Sequence, residues 1–148
     1  MPAFSFTMKR TASATLDVGS ILTAASSPGR FKLADIIFGS EATPGDNVFL
    51  WEVNKRTGLP TGGSGVTGQP LDDSDTKASS LAGNQAPTAN GSGSGNKLSV
   101  PLNQRATFRW AAQPGREIIA PATASNGFGF STPTSSAVVV TCCAHCEE

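Results

Sequence analysis

The sequence predicts an all-β fold, an antiparallel, jelly-roll-like β-sandwich of about seven to nine strands, and three observations predict it. Large apolar residues alternate with polar ones at period two in several short runs. Turn-forming residues separate those runs, with 16 Gly and 10 Pro in the chain. No segment combines a helix cap with three turns of apolar spacing. Charged residues make up only 15% of the chain, which leaves a surface of Ser, Thr, Asn, Gly and Pro, as in turn-rich β proteins.

Phe4, Phe6 and Met8 alternate with Ser5, Thr7 and Lys9 and predict a half-buried opening strand. Ile21 to Ser26 fits one helical turn or a short strand equally well. After the Ser27-Pro28-Gly29 turn, Phe31, Leu33, Ile36, Ile37 and Phe38 mark a second strong strand. The Pro44-Gly45-Asp46-Asn47 turn leads into a third, with Phe49, Trp51 and Val53 on one face. Val48, Leu50 and Glu52 take the other face, so the middle of this strand is expected to be covered on both sides.

The pattern then stops. From Arg56 to Asn96 there is no aromatic residue, and only Leu59, Val66, Leu71 and Leu81 are large aliphatics. Residues 56–97 therefore read as one long polar Gly/Ser-rich loop, too poor in apolar surface to offset its own ordering entropy. Loops of this length are functional or disordered, and this one is expected to be loosely packed until neighbouring subunits order it. Leu71, Asp72 and Leu81 are its candidate interaction residues, with the two leucines as anchors.

Strand signals resume over 98–102, 106–111, 116–120, 127–131 and 137–146. In the stretch ATFRWAAQPGREIIAP, Phe108 and Trp110 share one face while Thr107 and Arg109 share the other. Gln113-Pro114-Gly115-Arg116 reads as a β-turn, since Pro presets its first central residue and Gly permits positive φ at the second. The two flanking strands are expected to form a hairpin, with Arg109 on Glu117 or over an aromatic ring. Phe31, Phe49, Trp51, Phe108 and Trp110 are the expected aromatic core.

The length of 148 residues suits one β-sandwich domain over residues 1–148. Eleven basic and eleven acidic residues cancel, so no net field draws the chain to nucleic acid or an anionic membrane. MPAFSFTMKR has its charges after its apolar residues and is not expected to be a signal peptide, and no stretch is long enough to span a bilayer. Three Cys crowded at one end do not form a disulfide framework. Synthesis in a cytoplasm follows as the expectation.

Candidate chemistry is sparse. Cys142, Cys143, His145 and Cys146, within the Cys-rich end 142–148, are the one cluster of soft ligands, but they come as a single run. If a strand continues through them, Cys142 and Cys146 face one way while Cys143 and His145 face the other, so one metal ion cannot use all four. The alternative is a strand end or a frayed tail with incidental thiols. His145 is the only histidine, and three residues from the end it is not expected to hold a base in register. Asp72-Asp73-Ser74-Asp75 lacks the Gly and distal Glu of a calcium loop and reads as a polar turn. Gly91 to Lys97 misses the phosphate-loop spacing and reads as a linker. No enzymatic activity, cofactor, metal or small-molecule substrate is expected.

Several phrases, taken together, carry a resemblance. They are the opening MPAFSFT, Ile37-Phe38-Gly39-Ser40 with Ala42 to Asn47, and Pro70-Leu71-Asp72. Leu102 to Trp110, Pro114-Gly115, Ala120 to Thr123 and Asn126-Gly127 complete the set. In these blocks the chain resembles a family of small tailed-bacteriophage virion proteins, identified as capsid decoration or cement proteins. The Cys-rich end departs from that pattern. The resemblance implies a β-sandwich on the outer surface of a phage head, a homotrimer at local three-fold positions that binds the major capsid protein and bridges capsomers. It supplies no catalytic residues. A tail, neck or fibre-associated structural protein shares the composition. A carbohydrate-binding module on the virion is a further alternative, weakened by the lack of Tyr and by the expected burial of Trp51 and Trp110.

Overall fold

The alternating runs become two sheets laid face to face. The computed structural model describes residues 2–78, 80–134 and 136–148. These residues form twelve strands and no helix. In chain order they are β1 (Ala3–Thr11), β2 (Asp17–Thr23), β3 (Phe31–Glu41), β4 (Val48–Arg56), β5 (Ser64–Val66) and β6 (Gln69–Pro70). Then follow β7 (Leu81–Gln85), β8 (Asn96–Asn103), β9 (Phe108–Ala111), β10 (Ile118–Ala120), β11 (Gly127–Ser131) and β12 (Val139–Glu147). The first sheet runs β10–β3–β12–β1–β6, with β9 also paired to β3; the second runs β5–β7–β2–β11–β4–β8. Every pairing is antiparallel.

Side-chain parity decides what lies between the sheets. Phe4, Phe6 and Met8 of β1, Phe31, Leu33, Ile36 and Phe38 of β3, and Val140, Cys142, Ala144 and Cys146 of β12 all point inward and are buried. Phe49, Trp51 and Val53 of β4 and Phe128 and Phe130 of β11 meet them from the second sheet. Two ring contacts bridge the sheets. Phe38 stacks on Trp51 with centroids 4.5 Å apart, and Phe31 meets Phe128 edge-on at 5.6 Å. Each such buried side chain contributes about 1.5–3 kcal/mol by leaving water.

The polar segment is the main departure from expectation. Residues 56–97 carry β5, β6 and β7 and belong to both sheets instead of forming a strandless loop. Backbone hydrogen bonding supplies what apolar burial does not. β7 pairs with β2, β5 pairs with β7, and β6 pairs with β1. Thr61 N donates to Ala89 O, Thr88 N to Thr61 O, and Leu71 N to Ala3 O. Phe6 fills the space above Gly68, where a Cβ would sit 2.4 Å from the ring, so the glycine itself is the packing surface.

Other expectations are corrected by position. β9 and β10 do not form a hairpin with each other; both lie along the same edge of β3, β9 beside Asp35 to Phe38 and β10 beside Phe31 to Leu33. The Gln113–Arg116 turn is present, with Arg116 N on Gln113 O and Gly115 at φ 81°, but it turns the chain along that edge. Phe108 and Trp110 face the core as expected, yet are only partly buried because β9 is an edge strand. On the outer face of β4 the middle residues Leu50 and Glu52 are half-buried, and Val48 at its start is 64% exposed. Of the two alternatives for Ile21 to Ser26, the strand is found: Ile21 to Thr23 end β2, which begins at Asp17. The Cys-rich end is not frayed: β12 lies between β1 and β3.

Candidate functional site

The outer face of the first sheet is built from the residues of β1, β12 and β3 that parity turns away from the core. β12 places Cys143 beside Thr7 and Ile37, and His145 beside Ser5 and Asp35. Asp35 reaches this face because β3 is irregular opposite His145–Cys146, where Ala34 is left without a partner in the register. The extra residue keeps Leu33 and Ile36 inward while Asp35 turns outward.

Two side chains converge on Asp35. Arg109 of β9, one diagonal position along, donates from Nε at 3.0 and 2.9 Å and from Nη2 at 2.7 Å to the two carboxylate oxygens. His145 Nδ1 lies 3.3 Å from Asp35 Oδ2. Hydrogen bonds from Arg109, with its charge and that of His145, hold the Asp35 carboxyl below the usual carboxylate range despite partial desolvation. Arg109 thus pairs with Asp35, and Glu117 instead accepts from Gly115 N at 3.1 Å.

The other imidazole nitrogen, His145 Nε2, is 3.8 Å from Cys143 Sγ. Thr7 Oγ1 donates to the same sulfur at 3.6 Å, and Ser5 Oγ lies 3.4 Å from it. Cys143, His145 and Asp35 thereby stand in line across two strands. This overturns the expectation that His145 cannot be held in register. Parity on β12 foretells that Cys143 and His145 share a face; no local signal brings Asp35, 110 residues away, to the imidazole. Cys142 and Cys146 face the core, and burial pushes both thiols up. Among the described residues no group of three or more His, Cys, Asp or Glu is arranged to hold a metal ion.

The candidate interaction residues fall in two places. Leu71 is 55% exposed at the end of β6, and Asp72 beside it closes a turn in which its Oδ1 accepts from Ser74 N at 2.9 Å and Ser74 Oγ at 2.7 Å. Those bonds hold the Asp72 carboxyl below its ordinary range. Leu81, in contrast, is 8% exposed and packs in the chain's own core, because β7 pairs with β2. It anchors the polar segment to the sandwich, not to a neighbour.

A buried ion pair fixes the other end of that segment. Arg56 Nε and Nη2 donate to Asp17 Oδ2 and Oδ1 at 2.9 and 2.6 Å, and Arg56 Nη1 reaches Gly93 O at 2.9 Å. Asn90 accepts from Asp17 N at 2.7 Å and donates to Thr15 O at 2.9 Å. Gly129 leaves room for the pair, since a Cβ there would lie 2.2 Å from the Asp17 carboxylate. Burial raises the Asp17 carboxyl, and the Arg56 hydrogen bonds and charge pull it back. Two of the sequence blocks singled out above also meet in space. Gln104, buried, accepts from Gly45 N at 2.9 Å, donates from its own N to Asn47 O at 2.9 Å, and accepts from Ser40 Oγ at its carbonyl.

Comparison with protein-family models, with curated proteins and with solved structures finds no match for the chain.

Proposed function

We propose that the protein is a non-enzymatic structural component of a tailed-phage virion, a capsid decoration or cement protein that binds the outer surface of the head as a homotrimer. Its partner is the major capsid protein, and its work is mechanical: spreading contact over neighbouring capsomers. The observation that carries the reading is the Leu71–Asp72 turn. A large aliphatic residue is held out in solvent on a segment that is stitched to both sheets, so the contact surface exists before the partner arrives. Leu59, on the same segment, is 58% exposed as well. Ser40, Gly45 and Asn47 meet Gln104, so two of the phrases that carry the resemblance make one interlocked part of the sandwich.

The test is to add purified protein to heads that lack it and locate it by cryo-electron microscopy. Density at local three-fold positions on the outer shell is expected, with Leu71→Asp sharply lowering occupancy while melting stays near wild type. Density confined to the neck, tail or fibres would replace this reading, as would full occupancy by Leu71→Asp.

A further inference from the structure

Cys143 carries more chemistry than a structural role in a shell requires. Asp35, kept ionised by the Arg109 fork, has only acceptor oxygens, so the proton between it and His145 sits on Nδ1. In the neutral imidazole that tautomer makes Nε2 the acceptor, and Nε2 lies 3.8 Å from the Cys143 sulfur. A nucleophile, a base within reach of it, and a third group that orients the base are the elements of an activated thiol. The charged groups facing this patch are Asp35 and Arg109, with Lys9 and Glu147 two positions further along β1 and β12, and Lys32 and Glu41 towards the two ends of β3.

The surroundings of the sulfur select the reaction. Thr7 donates to Sγ itself, and the Ser5 hydroxyl also touches Sγ. These groups address charge on sulfur, whereas acyl transfer needs donors aimed at an oxyanion beside it. Thiol–disulfide exchange places its charge on the sulfurs in line and proceeds on an open sheet face.

We propose that Cys143 is a modification site that reacts with low-molecular-weight disulfides, with His145 as its base and Asp35 as the residue that positions His145. His145 Nε2 takes the thiol proton, and the Cys143 sulfur attacks one sulfur of the disulfide. The Cys143–S bond forms as the disulfide's S–S bond breaks. Cys143 is oxidised to a mixed disulfide, and the departing sulfur is reduced and leaves as a thiol carrying the proton from His145. Cys142 and Cys146 point into the core from the other face of β12, so neither can displace the adduct from within the chain. The mixed disulfide therefore persists until an external thiol arrives.

The experiment uses the full folded chain and two probes, dithiobis(nitrobenzoate) followed by absorbance and oxidised glutathione followed by intact mass. At about pH 7 the native protein is expected to release one equivalent of thionitrobenzoate promptly and to gain one glutathione, with the remaining two of its three cysteines reacting only after unfolding. Cys143→Ser should abolish the prompt reaction, while a Cys142→Ala, Cys146→Ala double variant should keep it. His145→Gln should slow it by about tenfold or more. That difference should vanish near about pH 10, where thiols ionise unaided. Should His145→Gln fail to fold, Asp35→Asn provides the same comparison through loss of the Nδ1 acceptor. No prompt equivalent from the wild type, a His145→Gln rate within about twofold of wild type at about pH 7, or a ratio that persists at about pH 10 would each overturn the assignment.

Discussion

Trp51 and Trp110 sit on strand faces of the same parity and have different fates, which sets the first prediction. Trp51 is 1% exposed and stacked on Phe38, so Trp51→Ala is expected to cost about 3–5 kcal/mol in urea unfolding. Trp110, on the short edge strand β9, should cost roughly half as much. Removing Arg56 strands the buried Asp17 carboxylate and frees Gly93, so Arg56→Ala should also cost about 3–5 kcal/mol. Asp35 and Asp17 respond to pH with opposite signs. Asp35 is lowered in the fold, so its contribution is present above about pH 4 and is lost as pH falls through its folded value. Asp17 is raised, so its contribution is greatest in acid and declines as pH rises through its folded value. Melting temperature followed from about pH 2 to 6 should show the acid-side loss weakened in Asp35→Asn. Cys142 and Cys146 are core residues, and serine at either would bury a hydroxyl. About 1–3 kcal/mol per site is expected for Cys→Ser, against near-wild-type unfolding for Cys143→Ser.

At the scale of elements, the strands legible in the sequence are β1, β3, β4 and β8 to β12, most of them marked by large apolar residues that alternate. β5, β6 and β7 are written mostly in Gly, Gln, Asn, Ala, Ser and Pro, with few side chains to alternate, and are held by main-chain pairing: β6 to β1, β7 to β2 and β5 to β7. Hydrophobic periodicity cannot see a strand whose stability comes from its neighbour's edge. The same limit hid Asp35: the irregularity at Ala34 shifts parity by one, so counting from Phe31 assigns Asp35 to the core. It follows that residues 57–96 should resist limited proteolysis in the free protein. Replacing 61–96 with a short Gly/Ser bridge should destabilise the whole sandwich, because it bares the edge of β2 and removes Gly93 from Arg56. Rapid cleavage within 57–96, or a bridged variant with wild-type stability, would show that the segment is an appendage.

For the molecule as a whole, the two faces of the first sheet divide its tasks: the inner face holds the ring contacts to the second sheet, and the outer face presents Cys143, His145 and Asp35. The fold class was legible because it depends on the strong strands; the thiol patch was not, because it depends on which strands become neighbours. The position of β12 has a further consequence. It lies between β1 and β3, and just beyond it Glu148 N donates to Pro2 O at 3.1 Å, so β12 completes a sheet begun by β1. The residues of β12 are synthesised after those of the eleven other described strands. Until they emerge, β1 and β3 have no shared partner, and their open edges must be kept from pairing with other chains. Translation that stops before Val139 yields no trimmed version of this protein, only one with its central seam missing.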